Sequence, residues 1–168
     1  PRQNHATSEP ATAPMLKPNA HIAAIAPAGI PNLDGVEKGI ALVESWGYRV
    51  TRAPHIADKH RFAAGTIDAR TEDLNWALTA EDIDAVWLVR GGYGCMQCLP
   101  QLPPQLPPTR PVIGCSDATA LLAYLDKLRG GPLVHGPMLE TLATRVEKAL
   151  SEVASREHVL KIIPVIDE

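Results

Sequence analysis

Pro111-Val112-Ile113-Gly114-Cys115-Ser116-Asp117-Ala118, leading into a helix-forming run at residues 119–128, sets a short apolar strand directly against a helix. Gly114 and Ala118 are small enough for the backbone to reverse sharply around Ser116. A strand-to-helix turn of this kind lifts a serine hydroxyl out of a sheet. It also aims the first helical amides, beginning at Asp117, toward a developing oxyanion. Ser116 is therefore a candidate nucleophile, although a Ser-Asp pair ahead of a helix also suits a cap. The Asp117 carboxylate is placed to cap its own helix and complement the macrodipole, which leaves its backbone amide as the catalytic contribution.

Upstream, residues 84–89 read as a buried strand, and Arg90 leads into Gly91-Gly92-Tyr93-Gly94, where three glycines let main-chain amides approach a ligand. In a parallel sheet this loop and Ser116 open at the same carboxyl edge, where open α/β sheets bind ligands. Arg90 either meets a substrate carboxylate through its planar fork or anchors the loop. The glycines lack the G-x-G-x-x-G pattern and the Lys-Ser or Lys-Thr of a phosphate loop, so nucleotide binding is the weaker reading.

Further strands are expected at residues 21–26, 48–53 and 133–135. A helix capped by Asp34 carries Val36, Ile40, Val43 and Trp46 on one face, and a second, from Thr66 to about Leu78, has the stripe Ile67, Leu74 and Leu78. Residues 54–66 form a loop, residues 95–99 a short helix and residues 100–111 a proline-studded linker, and the helix from Asp117 stops at Gly130-Gly131. Short apolar strands alternating with helices imply an α/β fold: a parallel sheet flanked by helices, flavodoxin-like or related, with the serine on a nucleophile elbow. Strand order is not legible.

Three regions are expected. Residues 1–19, polar and proline-rich, form a disordered leader; residues 20–138 form the α/β nucleophile domain; residues 139–168 form a helix at 140–157 and an apolar tail at 159–166. Leu142, Val146, Leu150 and Val153 recur at helical spacing, a face that packs on the sheet or on a partner domain.

Composition narrows the function. A net charge of −3 with mixed signs gives no footprint for nucleic acid. Three cysteines make no self-contained disulfide framework and favour a reducing compartment. No apolar run approaches the roughly 20 residues that span a bilayer, and the amino terminus has no signal-peptide core, so the expected location is the cytoplasm, away from membranes. Cys95-Met96-Gln97-Cys98 sits where a redox pair would, but without the aromatic and proline signature of that fold or a second ligand pair for zinc. His135 ends a strand at the active edge, as a base or as structure. His21, His55, His60 and His158 have no evident partner, and Trp46, Trp76 and Trp87 read as core or near-core residues.

Arg90-Gly91-Gly92-Tyr93-Gly94, Ile113-Gly114-Cys115-Ser116-Asp117 and Val134-His135-Gly136-Pro137-Met138, with Ala26-Pro27-Ala28-Gly29 after the first strand, occur in the order and at about the spacings of the LD-carboxypeptidases. The chain resembles that family of serine peptidases, also called muramoyltetrapeptide carboxypeptidases, from about Ala20 to Met138. The resemblance implies a hydrolase that removes the terminal D-amino acid from murein tetrapeptides in cell-wall recycling, without metal or organic cofactor. By position it makes Ser116 the nucleophile, the amides of Gly92 and Asp117 the oxyanion hole, and Arg90, Gly91 and Tyr93 substrate-binding. It makes the His-Gly-Pro segment structural. Cys115 stands where the family usually has an aromatic residue, and is expected to be a buried small hydrophobe. The family's general base and its orienting glutamate lie in a second domain that nothing after Met138 resembles, so a complementary domain or chain is implied, and a homodimer is expected. Two alternatives remain: an immunity-type peptidase acting on a peptide-nucleotide antibiotic, and a non-catalytic module binding peptide or nucleotide.

Overall fold

Side chains alternate across every central strand, and both faces of the sheet are covered. The computed structural model describes residues 16–107 and 110–154; the expected leader before residue 16, His158 and the apolar tail at 159–166 lie outside the described residues. The strands are β1 (His21–Ile25), β2 (Arg49–Arg52), β3 (Ala85–Leu88), β4 (Val112–Gly114) and β5 (Leu133–His135). All pair in parallel, in the order β2-β1-β3-β4-β5. That is the doubly wound, flavodoxin-like order.

Among the described residues five α-helices and a 3-10 turn at Leu99–Gln101 complete the fold: α1 (Leu33–Ser45), α2 (Ile67–Thr79), α3 (Cys95–Cys98), α4 (Ala118–Arg129) and α5 (Leu139–Ala154). Ala23, Ile25, Val86, Leu88 and Val112 point to one face, under α2, α3 and α4. Ile22, Ala24, Ala85, Trp87 and Ile113 point to the other, under α1 and α5. A one-residue register slip would exchange these two sets, so the covered faces fix the pairing.

Three local expectations are corrected. Asn32, not Asp34, caps α1: its side-chain oxygen accepts from the Gly35 amide at 3.2 Å, and Asp34 sits in the first turn. Trp46 follows the last turn of α1 and is 49% exposed, so the buried stripe is Val36, Ile40 and Val43. On α2, Ile67 is 39% exposed, and the helix buries Arg70, Thr71 and Asp73 beside Leu74, Ala77 and Leu78.

Asp73 has a measurable consequence. Its carboxylate accepts the His55 amide at 3.1 Å, and its pKa is pushed up to about 6, first by burial, against the pull of His55 and with Glu72 and Asp58 adding to the rise. The folded chain therefore holds this proton more tightly than the unfolded one, and stability falls as pH rises from about 4 to about 6. That difference between the folded and unfolded chain is worth on the order of 3 kcal/mol. Asp73→Asn keeps an acceptor for the amide and removes the buried charge. In urea unfolding it is expected to exceed the wild type by ~2–3 kcal/mol at pH 8 and to match it near pH 4; equal stability at both pH values would refute the assignment.

Candidate functional site

β4 ends at Gly114, and the chain turns through three residues into α4. Gly114 has to be small because a Cβ there would lie 2.9 Å from the Ala118 side chain. Ser116, at the apex, has φ +57°, a left-handed conformation that non-glycine residues rarely hold. Such strain persists only where the surroundings fix it, and it clusters at functional sites. Ser116 is exposed at the carboxyl edge of the sheet.

The glycine loop lies against it. A Cβ on Gly91 would sit 2.9 Å from the Ser116 Cβ and 3.1 Å from Oγ. Gly92 has φ +113° and packs on Gly29, while Gly29 donates its amide to the Gly91 carbonyl at 3.0 Å. The loop after β1 thus supports the loop after β3. Among the described residues the amides of Gly92 and Asp117 have no acceptor. Free main-chain amides in the glycine loop and at the residue after the serine are the kind of donor that an oxyanion requires.

Asp117 does not cap its own helix. Its Oδ2 accepts the Cys95 amide at 2.9 Å, at the start of α3. The carboxylate therefore ties the serine turn to the far end of the glycine loop. Its structural role stands, on a different helix from the one expected.

The serine cleft encloses about 300 Å³ and is lined by Arg90, Gly91, Gly92, Cys115, Ser116 and Met138, with Glu140, Thr141 and Arg145 contributed from α5. Arg90 donates from Nη1 to Glu140 Oε1 at 3.1 Å, and Glu140 Oε2 accepts the Asn32 amide at 3.1 Å. Of the two readings for Arg90, this geometry displays the anchor. Tyr93 does not line the cleft: its exposed ring meets Phe62 at 5.7 Å, tilted 60°. Cys115 is half-buried and forms part of the cleft wall, where the expectation was a fully buried side chain. A larger cavity of about 400 Å³, lined by His60, Phe62, Thr66 and Asp68, holds none of the candidate catalytic residues.

No histidine lines the serine cleft among the described residues. His135 is exposed, paired in register with Gly114. His21 has partners that the sequence did not suggest, the Asp82 carbonyl at 2.9 Å and the Thr51 hydroxyl at 2.7 Å, and His55 meets Asp58 at 3.0 Å. Cys95 and Cys98 are fully buried, and burial above all pushes both thiols up, which removes the thiolate a redox pair needs. Among the described residues no cluster of His, Cys, Asp or Glu could hold a metal, and no helix is long and apolar enough to cross a membrane.

Sequence reading missed the α5 contribution. Glu140, Thr141 and Arg145 follow directly on the Val134-to-Met138 motif, so their proximity to it was the available signal. What hid them was that α5 bends back over α1, a tertiary fact.

Comparison with known proteins agrees with this geometry. Residues 22–136 match the family model described as the LD-carboxypeptidase N-terminal domain. The murein tetrapeptide carboxypeptidase of Pseudomonas aeruginosa is 38% identical over 136 residues, covering 79% of this chain and 44% of that protein. The probable murein peptide carboxypeptidase of Bacillus subtilis is 29% identical, covering 71% and 38%. Among solved structures, the microcin C7 self-immunity protein MccF superposes with a TM-score of 0.71 at 20% identity, covering 85% of this chain and 46% of that one. The muramoyltetrapeptide carboxypeptidase of Oxalobacter formigenes gives 0.61 at 24%, covering 80% and 47%. The chain spans about half the length of the relatives it matches. With an exposed serine on a strained turn, packed against Gly91 of the glycine loop on a flavodoxin-ordered sheet, the chain belongs to the LD-carboxypeptidase family and carries its N-terminal domain.

Proposed function

We propose that this chain is the nucleophile-bearing half of a serine carboxypeptidase that removes the terminal D-amino acid from murein tetrapeptides. The observation that carries the reading is the strained, exposed Ser116 packed against Gly91, with the amides of Gly92 and Asp117 left without an acceptor among the described residues. Ser116 Oγ attacks the carbonyl of the penultimate residue. The two amides stabilise the oxyanion, the terminal residue leaves as the amine, and water hydrolyses the acyl-enzyme. Arg145 and the exposed part of Arg90 supply positive charge toward the free carboxylate that a carboxypeptidase recognises. An unassisted serine is a weak nucleophile, so the general base comes from a complementary domain or chain outside the described residues. The free thiols Cys95, Cys98 and Cys115 fit a reducing compartment, and the proposed setting is cytoplasmic recycling of cell-wall peptides.

The test is covalent labelling of the full chain with a fluorophosphonate, mapped by mass spectrometry. Modification is expected at Ser116 when the complementary domain or chain that supplies the base is present, and an intact, folded assembly left unlabelled there would sink the reading. Protection by a murein tetrapeptide is expected to exceed protection by glutamyl sulfamoyl guanosine. The reverse order would favour an immunity-type peptidase.

A further inference from the structure

Arg70 is a buried cation that the proposed chemistry does not use. It is 2% exposed, and among the described residues no carboxylate lies within ion-pair distance of it. An arginine buried without a counter-ion carries a large desolvation penalty, which hydrogen bonds must offset. Its bonds converge on the loops that shape the serine cleft. Nη1 donates to the Pro27 carbonyl at 2.8 Å and to the Gly94 carbonyl at 2.9 Å; Nη2 donates to Gln97 Oε1 at 2.7 Å; Nε reaches the Gly65 carbonyl at 3.4 Å. Pro27 and Gly94 lie 43 and 24 residues from Arg70 in sequence. Only a planar fork with several fixed donors can bridge such separate carbonyls at once. The approach is so close that a Cβ on Gly94 would collide with Nη1.

We propose that Arg70 is the positioning residue of the glycine loop. It clamps the Pro27–Gly29 and Gly91–Gly94 segments together, and thereby holds the Gly92 amide beside Ser116. This rests on the reading of Ser116 as nucleophile for its catalytic consequence, but not for the clamp itself.

Two readouts, made on the folded chain with the complementary base-supplying domain or chain present, separate these. The first is residue-resolved amide exchange at Gly29, whose amide bonds the Gly91 carbonyl, referenced to Val89, whose amide bonds Ile25 in the sheet. The second is the fluorophosphonate labelling rate at Ser116. In Arg70→Met, Gly29 exchange is expected to accelerate at least ~10-fold beyond any change at Val89, with labelling slowed at least ~10-fold, part of the about 10²- to 10³-fold that complete loss of one donor costs, because the amide is loosened and not removed. Arg70→Lys keeps the charge but loses the fork, and is expected to fall between Met and wild type in both. Gly29 and Val89 changing in step, or Gly29 unchanged, overturns the clamp. If wild type does not label while Gly29 uncouples in the variants, the clamp stands and the nucleophile reading fails. If wild type labels and the variants label equally fast, the nucleophile stands and the positioning role fails. Should Arg70→Met not fold, Arg70→Lys supplies both readings.

Discussion

Gly91→Ala is expected to slow covalent modification of Ser116 at least ~100-fold while leaving the unfolding midpoint within a few degrees of wild type. The reason is local. An added methyl would lie 2.9 Å from the Ser116 Cβ, closer than such carbon atoms approach. Turning the serine about χ1 moves Oγ but leaves Cβ in place, so the contact cannot be relieved by a rotamer change. Either the apex of the turn or the glycine loop must shift. Both alter the distance between Oγ and the Gly92 amide, and one misplaced oxyanion donor costs about 10²- to 10³-fold. Gly91 does not hold a positive φ, so alanine brings no backbone strain of its own. That separates this change from Gly92→Ala, where φ +113° would penalise any side chain. Stopped-flow labelling and thermal unfolding on the same preparation check both halves. A variant that labels at the wild-type rate would show that Ser116 and the loop do not act together.

The contrast between Ser116 and Arg70 shows where sequence reading succeeds. The serine turn is written in consecutive residues, because an apex that tight needs Gly114 and Ala118 immediately beside it. The alternation of strands and helices was legible for the same reason: periodicity is local. Arg70 and Asp73 carry no signal in the sequence, because their partners, the carbonyls of Pro27 and Gly94 and the amide of His55, are brought in only by the fold. Asn32 and Asp34 are both able caps two positions apart, and the direction in which the chain enters α1 decides between them. The role of Asp117 was assigned to the nearest helix in sequence, whereas its acceptor oxygen serves the nearest helix in space. Strand order follows the same rule. It depends on which strands the crossovers carry past one another, and no single segment records that.

Gly39→Ala tests whether the site depends on the helix that closes it. In an exposed helix interior this change stabilises by ~0.5–1 kcal/mol, since alanine restricts the unfolded chain. Here the opposite sign is expected. Gly35 and Gly39 face the first turn of α5, where a Cβ on Gly35 would meet the Glu140 carbonyl oxygen at 2.5 Å and one on Gly39 would meet the Leu139 carbonyl carbon at 2.8 Å. These are backbone atoms, so nothing short of lifting α5 relieves the clash. Overpacking of this kind costs about 1–3 kcal/mol and occasionally more. Offset by helix propensity, the net loss is about 1–2 kcal/mol, or a midpoint lowered by roughly 2–8 °C for a chain of this size. The same displacement reaches the cleft. The first turn of α5 is pinned by the Glu140 amide to the Val89 carbonyl at 3.0 Å, and Glu140 holds both Arg90 and the Asn32 amide. Moving it releases Arg90 from its anchor and opens the wall formed by Met138 and Thr141. Gly39→Ala is therefore expected to slow Ser116 labelling several-fold at temperatures where the chain remains folded. Glu140→Gln, which weakens the ion pair without the clash, is expected to reproduce part of that slowing with little loss of stability. If Gly39→Ala lowers the midpoint but leaves labelling untouched, α5 stabilises the sheet without shaping the cleft, and the assignment of Glu140, Thr141 and Arg145 to the site is wrong.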